Sequence, residues 1–116
     1  MRAALAILAL LASPALAEGA DPKAAFVADN LVAIFYHELG HALIDQLDLP
    51  VLGREEDAAD ILSVLMIDEV WEPEIAQEIV ANNAIAYAMR AEANAEDDPG
   101  FWDVHGHDLQ RYYTHY

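Results

Sequence analysis

There is no cysteine in these 116 residues, so no disulfide can brace the fold. Basic residues are also scarce, with five Lys and Arg against 21 Asp and Glu and a formal charge of -16. A field of that sign repels nucleic acid and anionic lipid and keeps a protein in solution, while its carboxylates attract hard divalent cations only weakly and unselectively. No apolar run approaches the roughly 20 residues that a helix needs to cross a bilayer. The run from Ala3 to Ala12 stops at Ser13 and Pro14. Internal repeats, low-complexity tracts and alternating strand patterns are absent too. At this length apolar burial is marginal, and domains near the limit often draw on a metal or a partner for stability.

What is present begins with an export signal. Met1 and Arg2 form a short positive region, Ala3 to Ala12 an apolar one, and Ala15-Leu16-Ala17 a small-x-small cleavage site. Residues 1–17 are therefore expected to be a signal peptide cut after Ala17, giving a periplasmic or secreted protein with no stable membrane anchor after cleavage. Residues 18–29 read as a flexible mature N-terminus and 30–116 as one helical domain.

From Asn30, the residues Leu31, Ile34, Phe35, Leu39, Leu43 and Leu47 recur at three- and four-residue steps, predicting an amphipathic helix to Leu47. Pro50 and Gly53 break the chain, and Glu55 to Asp57 place acid in the first turn of a second helix running to Ile67. Pro73 suits the first position of a third helix reaching Ala95, and Asp97-Asp98-Pro99-Gly100 is a stop. A last short helix is expected from Val104 to Tyr113. The predicted fold is all-α, with Leu62, Leu65 and Met66 packing against Ile34, Phe35 and Leu43, and with Trp71 and Trp102 closing the core over the site.

Inside the first helix lies His37-Glu38-Leu39-Gly40-His41, an HExxH pattern. A separation of four puts both imidazoles on one helical face, one turn apart, where they can converge on a single ion, and Glu38 beside them can take a proton from metal-bound water. A third donor is available in Arg54-Glu55-Glu56-Asp57-Ala58-Ala59-Asp60, on the helix expected to pair antiparallel with the first. Glu56 and Asp60 are four apart, so Glu56 can bind the metal while Asp60 accepts the second ring proton of a ligand histidine, here His37. On composition alone, Glu55, Glu56 or Asp57 could be the ligand.

HExxH followed by ExxxD resembles the gluzincin arrangement, and the wording of the two segments, His37 to Asp45 and Leu49 to Asp60, resembles the bacterial putative metallopeptidase family of that type. A further block, Asp103, His105, Asp108, Gln110, Arg111, Tyr112 and Tyr113, is similar to that family's D-x-H-x-x-D-x-Q-R-aromatic-aromatic segment, so the likeness spans residues 34–113. The resemblance implies one zinc ion on His37, His41 and Glu56, a peptide or protein substrate, and Glu38 as general base. It also implies His105 on the oxyanion of the reaction, oriented by Asp108 or Asp103. Arg111 is then a candidate partner of the acidic cluster or a structural ion pair, and His115 is expected to be incidental. Two departures stand out. Members of the family continue past the final segment, whereas this chain stops at Tyr116. Zinc peptidases also lay substrate along an edge strand that precedes the motif helix, and none is legible here. A homo-oligomer or a partner chain could complete the cleft. The alternatives to a hydrolase are an exported domain whose zinc is structural, leaving Glu38 dispensable, and an acidic helical binding module with an aromatic tail.

Overall fold

The computed structural model describes residues 21–94 and 103–116. The expected signal peptide, Trp102 and the turn at Asp97 to Gly100 lie outside the described residues. The described residues form four α-helices and no strand, which makes the fold all-α. Helix α1 is Pro22–Leu47, α2 Glu55–Val70, α3 Pro73–Ala93 and α4 Asp108–His115.

Helix α1 starts well before Asn30. Asp21 accepts a hydrogen bond from the Lys23 N–H at 3.1 Å, and Pro22 brings a preset helical φ to the first turn. Residues 22–29 are thus helix rather than flexible tail, and Asp29 is already buried. The helix ends at Asp48, which adopts a left-handed conformation (φ 51°) so that the Leu49 N–H returns to the Ile44 carbonyl at 3.0 Å; Pro50 cannot continue it. Trp71, extended at the C-cap, ends α2, and Pro73 keeps Glu72 out of the helical region at the N-cap of α3. Helix α4 begins four residues later than expected, because His107 is still extended at its N-cap.

Helix α1 packs against α2 and α3, and α4 packs against α2 and α3. A small hydrophobic core of Ala33, Ile67, Ala76 and Ile79, edged by Val32, Tyr36, Trp71, Ile75 and Val80, joins the three long helices. This differs from the expected core. Leu31, Ile34, Phe35, Leu47 and Leu65 are exposed, at 63, 52, 42, 62 and 59 % respectively, while Leu62 and Met66 are half-buried. Trp71 packs on this core at the far end of α2 from Glu56, about 20 Å along a helix of that length, so it does not close over the site.

The face of α1 that is buried reads Asp29, Ala33, His37, Gly40, Ile44. Its period is helical, as expected, but its phase is set by close approach and by polar partners rather than by bulk. A Cβ on Gly40 would lie 3.2 Å from both the Cα and the carbonyl oxygen of Ala59. A leucine side chain cannot occupy that seam, and the nearness of the α1 and α2 backbones is what brings His37 and His41 within reach of α2. Between α1 and α3 the seam is polar as well, with Asn82 donating to Asp29 at 2.6 Å and Asn83 to Asn30 at 3.1 Å. Gly40→Val is expected to destabilise the protein by about 1–3 kcal/mol through overpacking, whereas Ala42→Val on the exposed side should cost under about 1 kcal/mol. Denaturant unfolding of the two variants measures the difference.

Candidate metal centre

Two helix faces and one loop converge at the end of the α1–α2 pair away from the hydrophobic core. From α1, His37 and His41 present their Nε2 atoms 3.2 Å apart. From the first turn of α2, Glu56 places Oε2 at 3.2 Å from each of them. These three residues could hold a metal ion. A four-coordinate ion bound at about 2.0–2.1 Å spaces its nitrogen and oxygen donors about 3.3 Å apart, which is the triangle seen here.

The other ring nitrogens explain why the three atoms are free to act as donors. His37 Nδ1 donates to Asp60 Oδ1 at 2.9 Å, and His41 Nδ1 donates to Glu55 Oε1 at 2.8 Å. Carboxylates at both Nδ1 positions put the ring protons there and leave two bare Nε2 lone pairs facing each other and an anionic oxygen. Such a trio repels itself unless a cation or an extra proton sits among its members.

The three adjacent acids left open by the sequence divide the work. Glu56 reaches both imidazoles, Glu55 holds His41, and Asp57 pairs with Arg54 at 3.1 Å. The Glu55 hydrogen bond raises the His41 pKa above its usual value, outweighing the opposing effect of partial burial, and Glu56 adds to the rise. Asp60 is buried, and burial works against its charge. The hydrogen bond from His37 and the guanidinium of Arg111 win, holding its carboxyl well below the usual range. Arg111 grips Asp60 with two prongs, Nε to Oδ2 at 2.8 Å and Nη2 to Oδ1 at 2.7 Å.

His105 comes from the loop before α4, and its Nε2 lies 3.0 Å from Glu56 Oε2. Of the two acids expected to orient it, Asp103 makes the contact, accepting from both the Nδ1 (2.9 Å) and the backbone N–H (3.0 Å) of His105. Asp108 instead pairs with Arg90 of α3 at 3.5 Å. It opens α4, where the helix dipole favours its charge, and so it anchors the helix rather than the imidazole. Glu38 follows His37 on α1 and is exposed on the open side of the helix.

Two residues escaped the sequence reading. Arg54 ties the His105 loop to α2, donating to the His105 carbonyl at 3.3 Å and to Gln110 Oε1 at 3.4 Å. Its signal was a cation at a helix N-terminus, where the dipole disfavours one unless it has partners. His115 is not incidental: it is buried beside Tyr87, with ring centroids 5.2 Å apart, and its Nδ1 donates to the Arg111 carbonyl at 2.8 Å. An open cleft of about 450 Å³, lined by His41, Arg54, Glu55, Glu56, Asp103 and Val104, leads to the donor atoms.

The raised His41 pKa has a defined sign in the metal-free protein. Its stabilising contribution is complete below the unfolded value of about 6.5 and is lost as pH rises through the higher folded value. Glu55→Gln is expected to flatten the loss of stability just above pH 6.5, as read from denaturant unfolding across that range.

A family model described as "Putative metallopeptidase" matches residues 13–116. Neither a curated protein nor a solved structure matches the chain.

Proposed function

The chain belongs to that putative metallopeptidase family, and from this premise we propose that it is an exported zinc-dependent hydrolase of peptide bonds, with His37, His41 and Glu56 as the metal ligands. The observation that carries the reading is the convergence of two Nε2 atoms and one carboxylate oxygen, spaced 3.2 Å from one another. Two imidazoles and a carboxylate suit zinc, and the donor spacing fits its tetrahedral radius.

Zinc held there would acidify a bound water and polarise the scissile carbonyl. Glu38, exposed one residue after the first ligand, would take up the proton from that water and return it to the leaving amine. His105, with Asp103 on its Nδ1, would donate through Nε2 to the developing oxyanion when its ring carries a proton on both nitrogens. Arg54 would hold the His105 backbone in place. The substrate would be a peptide or protein reaching the cleft beside His41 and Val104. The acidity that disfavours nucleic acid leaves such a substrate open. The terminal pattern of residues 1–17 supports the reading of export, and no described helix is long and apolar enough to cross a membrane.

A second reading, in which the zinc is structural and nothing is cleaved, draws on the absence of any strand among the described residues. Without one, substrate cannot be added to a sheet edge, and a second copy or a partner chain would have to complete the groove. Native mass spectrometry and peptide cleavage by the 116-residue chain separate the readings. One zinc per chain is expected in the parent and in Glu38→Gln and should be lost in His41→Ala. Hydrolysis should fall at least about 100-fold in Glu38→Gln, as loss of a general base requires. Equal zinc binding by His41→Ala would sink both readings, while no cleavage by the parent above the level of Glu38→Gln, with zinc still bound, would leave only the structural one.

A further inference from the structure

The carboxylate that orients His37 is controlled from a helix that contributes no metal donor. Asp60 has only two oxygens and both are engaged. Oδ1 accepts from His37 Nδ1 at 2.9 Å and from Arg111 Nη2 at 2.7 Å, and Oδ2 accepts from Arg111 Nε at 2.8 Å. A planar guanidinium fork on a carboxylate fixes both the position and the rotation of the acceptor, which a point-like ammonium cannot do. Here that rotation aims Oδ1 at the His37 ring.

Arg111 is itself held on three sides. Its guanidinium carbon stands 4.3 Å over the ring of Tyr87 on α3, its carbonyl accepts from His115 Nδ1 at 2.8 Å, and its N–H donates to the His107 carbonyl at 2.9 Å. Arg111 and Asp60 are 7 and 2 % exposed, so water offers neither group a competing partner. The contacts run from Tyr87 through Arg111 and Asp60 to His37, and all four helices take part.

We propose that Arg111 is a positioning residue for the metal site, acting through Asp60 to keep the His37 proton on Nδ1 and its Nε2 open toward the other donors. The inference rests on the reading of His37 as a metal ligand. It extends the site to α4: docking of the last helix and metal binding are coupled, although α4 lends the ion no atom.

The test uses the full 116-residue chain, metal-free, with NMR of the imidazole nitrogens followed by titration with zinc alone. In the parent, His37 should be the Nδ1–H tautomer. Arg111→Lys keeps the charge and loses the fork; it should give a mixed His37 tautomer and weaken zinc binding by about 10–100-fold, the usual cost of losing an outer hydrogen bond to a ligand. Ile79→Ala removes packing from the hydrophobic core, which lies apart from the metal site, so it should lower the melting temperature yet keep the tautomer and hold zinc affinity within about twofold of the parent. A predominantly Nε2–H tautomer in the metal-free parent would overturn the proposal. So would an unchanged tautomer and affinity in Arg111→Lys, or equal losses in Arg111→Lys and Ile79→Ala. If Arg111→Lys does not fold, the parent tautomer and amide exchange decide: zinc should slow exchange at Tyr112 and Thr114, and unchanged exchange there would contradict the coupling. A parent that binds no zinc defeats the functional reading alone, because the tautomer comparison needs no metal.

Discussion

Everything at this site depends on keeping one buried carboxylate charged. Asp60 lies at the meeting of α1, α2 and α4, removed from water, and an unpaired carboxylate there would cost several kcal/mol. It is tolerable only because a cation grips both of its oxygens and an imidazole N–H supplies a further hydrogen bond. The same contacts have a chemical consequence. With its proton drawn to Nδ1, His37 has no choice but to turn a lone pair toward His41 and Glu56. Structural necessity and ligand preparation are here one arrangement.

The energetics follow from what is buried. The largest fully buried apolar side chains are Ile67 and Ile79, and the rest of the buried apolar residues are four alanines, Ile44 and Tyr87. Set against them are seven buried polar or charged residues, Asp29, His37, Asp60, Ser63, Asn83, Arg111 and His115. Such a protein gains little from hydrophobic burial for its size and relies on satisfied polar contacts, which lose most when a single partner is removed. A ligand that binds only the folded state would add directly to that stability, and a chain without disulfides has few other sources. Metal binding is therefore expected to add to the stability of a chain that already folds without it.

Much of this was legible in the chain. The spacing of His37, His41, Glu56 and Asp60 follows from helical periodicity, and the helix breaks at Pro50 and Pro73 follow from backbone sterics. The side chains that face inward were not legible. Periodicity reports a stripe, and Leu31, Ile34 and Phe35 mark the larger one, yet α1 turns its smaller and more polar stripe to α2 because only Gly40 permits the close approach to Ala59. Hydrophobic bulk is a poor guide when the interface is built for contact between backbones and for hydrogen bonds. Glu56 was singled out by its spacing from Asp60 and by the family resemblance, but the partners of Glu55 and Asp57 were beyond reach for a related reason: adjacent acids differ only in helical angle, and the partner that each meets is set by tertiary packing. His115 was passed over because its neighbours Arg111 and Tyr87 are brought together by α3 and α4, from distant parts of the sequence.

Two imidazoles and one carboxylate on α1 and α2 are the ligand set proposed for zinc. X-ray absorption at the zinc edge, on the full chain loaded with one equivalent of zinc, tests it most directly. Two imidazole nitrogens and low-atomic-number oxygen donors are expected at about 2.0–2.1 Å in four-coordinate geometry. A first shell of oxygen alone, with no imidazole signature, would contradict it and reduce the metal to one held weakly by an acidic surface.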